Sequence, residues 1–436
     1  MPLSINTDRL LRELHHLARI TDCPATQDKS LPEPTQAVTR IVFTPRDLEA
    51  RAWLKSLADE AGFTTRVDAV GNTFIRWAGS QPELGVVGTG SHTDAIPHAG
   101  MYDGTVGVLG GLEAMRALKE SGFQPKRSIE TLMFTSEEPT RFGIGCIGSR
   151  LLGGVIDPAT ADKLRDRLPE TEPDAPTGLT LAQVRTQAGF SGSLSDVKLA
   201  QDYYHAWVEL HIEQGPLLER EGIQLGIVTN IAAPASYRYT IEGFGGHAGA
   251  LLMPDRRDAL CGAAEIILAV EKFTLEANAK FGGVDSVATV GMVAVHPGAV
   301  NSVPSRVTIT LDIRDTDVAR RDHTMAQLHA RIKEIEGARR LKITEETTNA
   351  DIPAVSSEHI VATLEGICRS ENISYKKMVS RAYHDSNFMA RVAPIAMLFI
   401  PCRNGVSHRP DEYSTPEDIA RGTQVLAMAL ASLSAE

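Results

Sequence analysis

The sequence predicts an α/β fold in which a smaller α+β domain is inserted into a larger domain with a mainly parallel β-sheet. Two observations predict this fold. Apolar runs typical of buried strands alternate with amphipathic helical patterns over most of the chain. Between about residues 228 and 348 the order becomes strand, helix, strand, strand, helix, strand, which is typical of a ferredoxin-like insert. The predicted segments are residues 1–227, 228–348 and 349–436, with the first and last forming one domain.

Length and composition narrow the class of protein. The chain has 436 residues, 42% of them hydrophobic, which is enough to bury a large core. A net charge of -11 argues against a nucleic-acid partner, because phosphate binding needs an excess of Lys and Arg. The five cysteines show no Cys-x-x-Cys spacing, so we expect neither disulfides nor a zinc ribbon but a reducing compartment. No apolar run reaches membrane-spanning length, and we expect a cytoplasmic protein without a membrane partner.

The elements of the first segment follow from hydrophobic spacing. Leu10, Leu14 and Leu17 recur at helical intervals, so an amphipathic helix is predicted near the N-terminus. Further on, the patterns predict a helix over residues 47–61, a strand over 65–77 that carries a Gly-Asn turn, and a helix over 107–120. Residues 158–195 are rich in Pro, Gly, Thr and acidic residues, which predicts short helices joined by loops.

The insert and the last segment are predicted in the same way. Strands are expected over residues 235–241, 287–295, 306–314 and 342–347, with helices over 256–276 and 317–336. A helix over residues 357–371 then precedes an apolar run at 396–400. We expect that run to return to the sheet of the first domain.

Side chains that bind metals follow several of the apolar runs. They are His92, Asp103, Glu138, His211 and His408. Strand ends gather at one edge of an open α/β sheet, so we expect these side chains to meet there. Histidines with a shared carboxylate suit two divalent ions roughly 3.5 to 4 Å apart, and Asp103 is the candidate bridge. A single loop histidine is usually a surface residue, so the prediction depends on their joint placement.

Two acidic residues beside these ligands have candidate catalytic roles. Asp94 lies two residues after His92 and is suited to orienting a ligand imidazole, although a simple turn residue fits its position equally well. Glu137 adjoins Glu138 and points in another direction if the backbone is extended. One carboxylate then binds metal while Glu137 faces water as a general base. Most Glu-Glu pairs are solvated surface charge, but this pair ends an apolar strand.

The insert carries further polar candidates. His247 lies in a glycine-rich turn and can donate to a developing oxyanion, although an ordinary turn histidine is the favoured alternative on this motif alone. Asn301 is a second candidate. Arg314 can grip a substrate carboxylate with its planar fork, and a salt bridge to Asp312 or Asp315 explains it equally well.

Together the motifs resemble the M20 metallopeptidase-like amidases of the hydantoinase/carbamoylase type, the branch of N-carbamoyl-L-amino acid hydrolases, allantoate amidohydrolases and ureidoglycolate amidohydrolases. The resemblance covers nearly the whole chain from about Arg40. The motifs that carry it are His92-Thr93-Asp94, Asp103-Gly104, Glu137-Glu138, His211-Ile212-Glu213-Gln214-Gly215, Gly245-Gly246-His247-Ala248-Gly249 and Ser407-His408-Arg409-Pro410-Asp411-Glu412.

The resemblance implies a metallopeptidase-like catalytic domain with an inserted lid and dimerisation domain. It implies two divalent ions, with Mn²⁺ expected and Zn²⁺ compatible with the same ligands, and Glu137 as the base. The implied metal ligands are His92, Asp103, Glu138, His211 and His408. The implied substrate contacts are Gln214, His247, Asn301, Arg314 and His384, with His247 reaching the active site of the partner subunit in a homodimer.

Differences in motif sequence within this branch indicate which substrate is expected. Pro139-Thr140-Arg141 after the glutamate pair, and the segments 231–236, 381–386 and 399–402, are similar to the ureidoglycolate amidohydrolases, whereas the allantoate enzymes usually have Gly after the glutamates. This implies hydrolysis of a small ureido acid, (S)-ureidoglycolate, with release of ammonia and formation of glyoxylate and CO₂ in purine catabolism. Allantoate and N-carbamoyl-L-amino acids are the alternatives. A dipeptidase and a non-catalytic metal-binding protein are less favoured.

Overall fold

A computed structural model describes residues 3–23, 36–168, 178–283 and 285–436 of the chain. Its contacts divide the chain into two compact units. The first unit comprises Met1–Thr229, Val355–Met378 and His384–Glu436, and the second comprises Asn230–Ala354 and Val379–Tyr383. The short segment Val379–Tyr383 therefore clusters with the second unit, although it falls within the predicted segment 349–436.

Helices and strands alternate along most of the chain. In order they are α1 (Thr7–Arg19), β1 (Val38–Arg40), α2 (Pro45–Glu60), β2 (Thr64–Val67), β3 (Thr73–Trp77), β4 (Val86–His92), β5 (Ala95–Ala99), α3 (Thr105–Ser121), β6 (Ile129–Phe134), α4 (Ile147–Leu152), α5 (Pro158–Asp162), α6 (Leu181–Gln187), β7 (Tyr204–Ile212), α7 (Leu217–Glu221), β8 (Leu225–Ile231), β9 (Ala233–Glu242), β10 (Gly246–His247), α8 (Ala259–Phe281), β11 (Val287–His296), β12 (Ser302–Val303), β13 (Arg306–Asp315), α9 (Val318–Arg339), β14 (Lys342–Ala350), β15 (Ala354–Val355), α10 (Glu358–Ser370), β16 (Tyr375–Ser380), α11 (Ser386–Met389), β17 (Ile395–Ile400) and α12 (Pro416–Ala435).

The large sheet is mixed rather than mainly parallel. Its nine described strands run in the order β15-β8-β17-β7-β4-β6-β3-β2, with β16 beside β8. The central strands β17, β7, β4 and β6 are parallel. The flanks are antiparallel, because β2 and β3 are joined by a turn too short for a parallel crossover and β8 pairs with β17 in the opposite direction. The predicted parallel arrangement therefore holds only for the centre of the sheet, where the candidate metal-binding motifs lie.

Helix α3 packs closely against the central strands. Its Leu112 and Met115 are fully buried. A Cβ atom at Gly107 would lie 2.5 Å from the carbonyl oxygen of Leu210, and one at Gly111 would lie 2.9 Å from Thr131. The small residues at the start of the helix thus allow it to contact the sheet directly. Because α3 begins at Thr105, this packing fixes the turn that carries Asp103.

The second unit is built around an antiparallel sheet of four strands in the order β11-β13-β9-β14. Strand β13 alternates buried and partly exposed residues, and its buried Val307, Ile309, Leu311 and Ile313 share one face. Residues of α8 and α9, among them Ile266 and Leu328, join the same apolar cluster. The predicted succession of strand, helix, strand, strand, helix and strand is confirmed by β9, α8, β11, β13, α9 and β14, with the short β12 between the middle strands.

Two further predictions concern the rest of the chain. The region 158–195 contains the short helices α5 and α6, as expected, while residues 169–177 lie outside the described residues. A reciprocal pair of bonds between Thr180 and Gln183 caps the start of α6. Among the described residues, every helix is too short or too polar to cross a membrane.

Candidate active site

Six polar side chains converge where the central strands end. His92 is the last residue of β4, His211 is the penultimate residue of β7, and the glutamate pair follows β6. Asp103 comes from the turn before α3, and His408 from the segment between β17 and α12. Parallel strands bring these positions to one edge of the sheet, as the motif placement predicted.

Asp103 lies at the centre of the cluster. Its Oδ1 is 3.5 Å from Nε2 of His92 and 3.2 Å from Nε2 of His211. Its Oδ2 is 3.3 Å from Nε2 of His408, which in turn lies 3.4 Å from Oε1 of Glu138. The side chains therefore form two groups of potential metal ligands that share Asp103, namely His92-Asp103-His211 and Asp103-Glu138-His408. A carboxylate with one oxygen toward each group has the arrangement that a bridging ligand needs.

The two buried imidazoles are oriented by main-chain carbonyl groups. Nδ1 of His92 lies 2.9 Å from the carbonyl oxygen of Asp94, and Nδ1 of His211 lies 2.9 Å from that of Ile212. A carbonyl oxygen only accepts, so Nδ1 carries the hydrogen in both rings. In the neutral rings Nε2 then presents its lone pair toward Asp103, which is the state that binds a metal ion. The residues present thus fit a pair of divalent ions in donor type, sharing and tautomer.

Gly104 makes room for one of these rings. Its φ of +67° lies in the left-handed region, and a Cβ atom there would lie 2.5 Å from the ring of His92. A residue with a side chain would therefore push His92 away from Asp103 and strain the backbone as well. The Asp-Gly pair in the motif is thus explained by close approach rather than by turn preference alone.

The carboxylates and imidazoles of the cluster shift each other's pKa. Burial raises the pKa of Asp103, but hydrogen bonds from the protonated rings of His211, His408 and His92 outweigh it and hold that pKa well below its usual value. Burial lowers the pKa of His92, and the nearby carboxylates of Glu137 and Asp103 outweigh it and raise that pKa well above the usual value. The carboxylates therefore attract positive charge strongly, either protons on the imidazoles or metal ions.

Glu137 is placed differently from its neighbour Glu138. Its Oε2 lies 3.6 Å from Nε2 of His92, and its side chain retains some exposure. Burial, together with the charges of Glu138 and Asp103, raises the pKa of Glu137 to about 8. It lies outside both ligand groups, so its carboxyl is available to exchange a proton with a water molecule or substrate.

Asp94 acts through different atoms from those predicted. Its main-chain carbonyl, rather than its carboxylate, accepts the hydrogen bond from His92, since the carboxylate Oδ1 is 3.9 Å from Nδ1. The carboxylate instead accepts the main-chain N–H groups of Glu137 and Glu138, at 3.3 and 3.0 Å. Asp94 thus fixes the turn that separates the two glutamates.

Ser407 and Glu412 also support the cluster, although sequence reasoning gave them no role. Glu412 is fully buried, and its Oε1 accepts the main-chain N–H groups of Tyr102 and Asp103 at 2.8 and 3.0 Å. The hydroxyl of Ser407 lies 2.7 Å from Oδ2 of Asp103 and 2.9 Å from Oε2 of Glu412. The only signal in the sequence was their place in the motif around His408. Asp103, which both residues contact, lies 304 residues from Ser407 and 309 residues from Glu412.

Two candidate substrate contacts of the first unit lie against the ligands themselves. Nε2 of Gln214 donates to Oδ2 of Asp103 at 2.7 Å, while its Oε1 is buried without a hydrogen-bond partner among the described residues. His384 is buried, with its ring centroid 4.6 Å from that of His211. The structure thus brings both residues to the cluster, and their contact with substrate stays a prediction.

The remaining candidates belong to the second unit. His247 is exposed on β10, and its Nδ1 accepts the N–H of Gly249 at 3.1 Å. Asn301 is brought beside this turn, because its carbonyl oxygen accepts the N–H of Ala248 at 2.8 Å. Their contact with substrate stays a prediction.

Arg314 lies in β13, in the same unit. Its Nε is 2.7 Å from Oδ1 of Asp312, which is one of the two salt bridges considered as alternatives, and it lines a cavity of about 410 Å³ with Arg381 and Thr289. Asp315, the other alternative partner, pairs with Arg320. Contact between Arg314 and substrate also stays a prediction.

The chain is similar in sequence and fold to known proteins. Residues 88–432 match the model of peptidase family M20/M25/M40. The chain is 48% identical to the ureidoglycolate hydrolase of Oryza sativa subsp. japonica, over 99% of this chain and 86% of that protein. It is 46% identical to the ureidoglycolate hydrolase of Arabidopsis thaliana, over 99% and 87%. The crystal structure of AtUAH in complex with (S)-hydroxyglycine matches with a TM-score of 0.85 and 45% identity, covering 100% of this chain and 99% of that one, and AtUAH has also been solved with glyoxylate.

Proposed function

The chain belongs to peptidase family M20/M25/M40, and on that basis we propose that it is an amidohydrolase that hydrolyses (S)-ureidoglycolate. The observation that carries the proposal is the cluster of potential metal ligands around Asp103, with Glu137 beside it but outside both ligand groups. Relatives that span the whole chain at 46 to 48% identity are ureidoglycolate hydrolases, which supports the substrate. The enzyme is thus a hydrolase of a non-peptide C–N amide bond.

The proposed reaction accounts for both ligands seen in AtUAH. Water adds to the terminal ureido carbonyl, the C–N bond to the terminal nitrogen breaks, and ammonia leaves. The carbamate that remains loses CO₂ and gives hydroxyglycine, which then breaks down to glyoxylate and a second ammonia. (S)-Hydroxyglycine and glyoxylate, the compounds bound to AtUAH, are the last two carbon compounds of this sequence.

The side chains of the cluster have different proposed roles in this reaction. His92, Asp103, Glu138, His211 and His408 are the proposed holders of two divalent ions. Bound there, such ions supply a Lewis acid for the ureido carbonyl and lower the pKa of water. Glu137 removes the proton from the attacking water and delivers it to the leaving nitrogen. Mn²⁺ is the proposed metal, because carboxylate and imidazole ligands suit it, and Zn²⁺ fits the same donors.

Substrate recognition is proposed for residues of both units. Arg314 uses its Nε on Asp312, which leaves its terminal N–H groups to grip the substrate carboxylate. His247 has an acceptor Nδ1, so its neutral ring carries the hydrogen on Nε2 and can donate to the developing oxyanion. Asn301, Gln214 and His384 complete the proposed set of contacts.

We further propose that residues 228–348 form a lid and dimerisation domain and that the protein is a cytoplasmic homodimer. In the second unit, β11 is an edge strand with exposed Met292 and Val293. Helix α8 exposes Leu268 and Leu275, which are seven residues apart and share a face. An apolar edge strand beside an apolar helix face is typical of an interface between copies. In that dimer, His247 of the partner subunit would complete each active site.

Reconstitution tests the proposal. Metal-free protein supplied with Mn²⁺ or Zn²⁺ is expected to release ammonia and glyoxylate from (S)-ureidoglycolate, with activity that chelation removes and metal restores. Protein treated in the same way without added metal is the control. Absence of ammonia from ureidoglycolate with either ion would refute the proposed function.

A further inference from the structure

The thiol of Cys146 contacts the oxygen of Glu137 that does not face His92. Its Sγ lies 3.4 Å from Oε1, whereas Oε2 lies 3.6 Å from Nε2 of His92. The main-chain N–H of Cys146 also donates to the carbonyl oxygen of Glu137 at 2.8 Å. Cys146 therefore holds both the main chain and the side chain of this glutamate.

Two residues next to Glu137 have an unusual backbone conformation, one adjacent in sequence and one in contact with it. Ser136 and Cys146 each have a φ of +58°, in the left-handed region that residues with a Cβ atom rarely adopt. Glycine would adopt this conformation more easily at residue 146, but it has no side chain to offer. A strained position that carries a thiol against a reactive carboxylate indicates that the side chain is used.

The thiol of Cys146 is placed as a hydrogen-bond donor to Glu137. Cys146 is fully buried, and burial, together with the charge of Glu137, raises the pKa of its thiol well above the usual value. A protonated thiol beside a carboxylate oxygen donates its hydrogen. The residue is held from behind, because Oγ of Ser149 lies 3.2 Å from its carbonyl oxygen and also bonds Oδ1 of Asp385.

We propose that Cys146 is a positioning residue whose S–H group binds Oε1 of Glu137 and thereby leaves Oε2 as the oxygen that exchanges the proton. The proposal rests on the proposed role of Glu137 as general base. A glutamate side chain has several rotatable bonds, and a donor fixed at one oxygen restricts the rotation that would exchange the two oxygens. Loss of this hydrogen bond should therefore slow the chemical step and leave substrate binding unchanged.

Three cysteine variants test this in the full-length protein with metal and ureidoglycolate. In Cys146→Ala we expect kcat to fall about five- to tenfold with KM unchanged, as for the loss of one hydrogen bond from a weak donor. Cys146→Ser keeps a donor and should recover most of the rate. Cys368→Ala removes another fully buried thiol, on α10, and serves as the matched control for a lost core sulfur. A kcat for Cys146→Ala equal to that of Cys368→Ala would overturn the proposal, as would a Cys146→Ser variant as slow as Cys146→Ala.

A spectroscopic measurement covers the case in which Cys146→Ala does not fold. The infrared S–H stretch of Cys146 reports the strength of its acceptor, and Glu137→Gln should move this band to higher frequency because a neutral amide accepts more weakly. An unmoved band would overturn the proposal. Failure of the proposed function looks different, since it requires that wild type does not act on ureidoglycolate or that Glu137→Gln retains turnover.

Discussion

Three histidines form hydrogen bonds with the main chain through Nδ1, but this atom donates in the first unit and accepts in the second. In the first unit, Nδ1 of His92 and Nδ1 of His211 donate to carbonyl oxygens, which leaves Nε2 with a lone pair. In the second unit, Nδ1 of His247 accepts the N–H of Gly249, so in the neutral ring the hydrogen lies on Nε2. The first arrangement suits a metal ligand and the second suits a donor to an oxyanion. The main chain thus assigns different chemistry to the same side chain.

The two regions also differ in how tightly they are packed. His92 and His211 are buried among carboxylates, with Asp103 between them. His247 is exposed and lies on a two-residue strand. The ligand cluster is therefore arranged by the fold alone, whereas the proposed donor role of His247 would begin only when substrate is bound. We expect substitution of His92 or His211 to affect metal content and substitution of His247 to affect turnover alone.

The largest effect is expected for Glu137→Gln, which separates the base from the ligands within the first region. Turnover should fall by about 10²- to 10⁴-fold, because the proton of the attacking water loses its acceptor. Metal content, measured by elemental analysis, should stay at the wild-type value because Glu137 lies outside both ligand groups. Retained turnover would exclude Glu137 as the base, and lost metal would make it a ligand.

Replacing one histidine of each unit by alanine tests the comparison directly. His211→Ala should lose bound metal, since it removes a proposed ligand from the group that contains Asp103. His247→Ala should keep its metal and lose about 10²-fold in kcat, as for the removal of one donor to an oxyanion. Elemental analysis and steady-state kinetics measure both. Equal metal loss in the two variants would contradict the assigned difference.

Mixed dimers sharpen the role of His247. Inactive Glu137→Gln and His247→Ala subunits, combined in one purified heterodimer, should regain about half the wild-type rate, because one site then has both groups intact. This outcome requires His247 of the partner subunit to serve that site. An inactive heterodimer would show that each subunit uses its own His247.

A pair of glycine substitutions compares the packing of the two regions. A Cβ atom at Gly104 would lie 2.5 Å from the ring of His92, whereas one at Gly249 would lie 3.4 Å from the ring of His247, an ordinary contact. We expect Gly104→Ala to weaken metal binding by about 10- to 100-fold and Gly249→Ala to leave it at the wild-type level. Metal titration of both proteins measures the difference.

Gly122→Ala controls for backbone strain in that comparison. Gly122 also has a positive φ, of +87°, but a Cβ atom there would meet no atom within 4 Å. Its substitution should therefore reduce the free energy of unfolding by about 1–2 kcal/mol without affecting metal binding. Metal loss in Gly122→Ala would show that strain, and not the contact with His92, explains Gly104→Ala.

The smallest effect is expected for Ser407→Ala, which removes a hydroxyl from Oδ2 of Asp103. That oxygen keeps the amide of Gln214 at 2.7 Å, so the carboxylate stays hydrogen-bonded. We expect a loss of about 1 kcal/mol, or a few-fold in metal affinity. A loss as large as that of Gly104→Ala would mean that Ser407 orients Asp103 more strongly than its contacts indicate.

The sequence predicted the members of the ligand cluster but not the bonds that orient them. His92, Asp103 and His211 stood out because metal-binding side chains at strand ends form a local pattern that a sequence displays directly. The polarity of the bond at Nδ1 depends on the main-chain group that the fold brings to the ring. Asp94 was expected to act through its carboxylate, whereas its carbonyl group makes the bond.

Contacts between distant segments account for most of the other differences. Glu412 binds the N–H of Asp103 across 309 residues, and no local pattern announces such a contact. The antiparallel flanks of the large sheet depend on the pairing of β8 with β17, which periodicity does not specify. The helices and strands themselves were predictable because each follows its own hydrophobic period. Arg314 had two equally good partners in sequence, and only the structure shows that Asp312 is the one it uses.

One measurement tests the central claim most directly, namely kcat/KM for (S)-ureidoglycolate, allantoate and N-carbamoyl-L-amino acids with the same metal-loaded protein. The side chains of the cluster would serve all three reactions, so only the comparison of rates identifies the substrate. We expect kcat/KM for ureidoglycolate to exceed the other values by about 10²-fold or more, with glyoxylate as product. A higher value for allantoate or for an N-carbamoyl amino acid would contradict the proposed function.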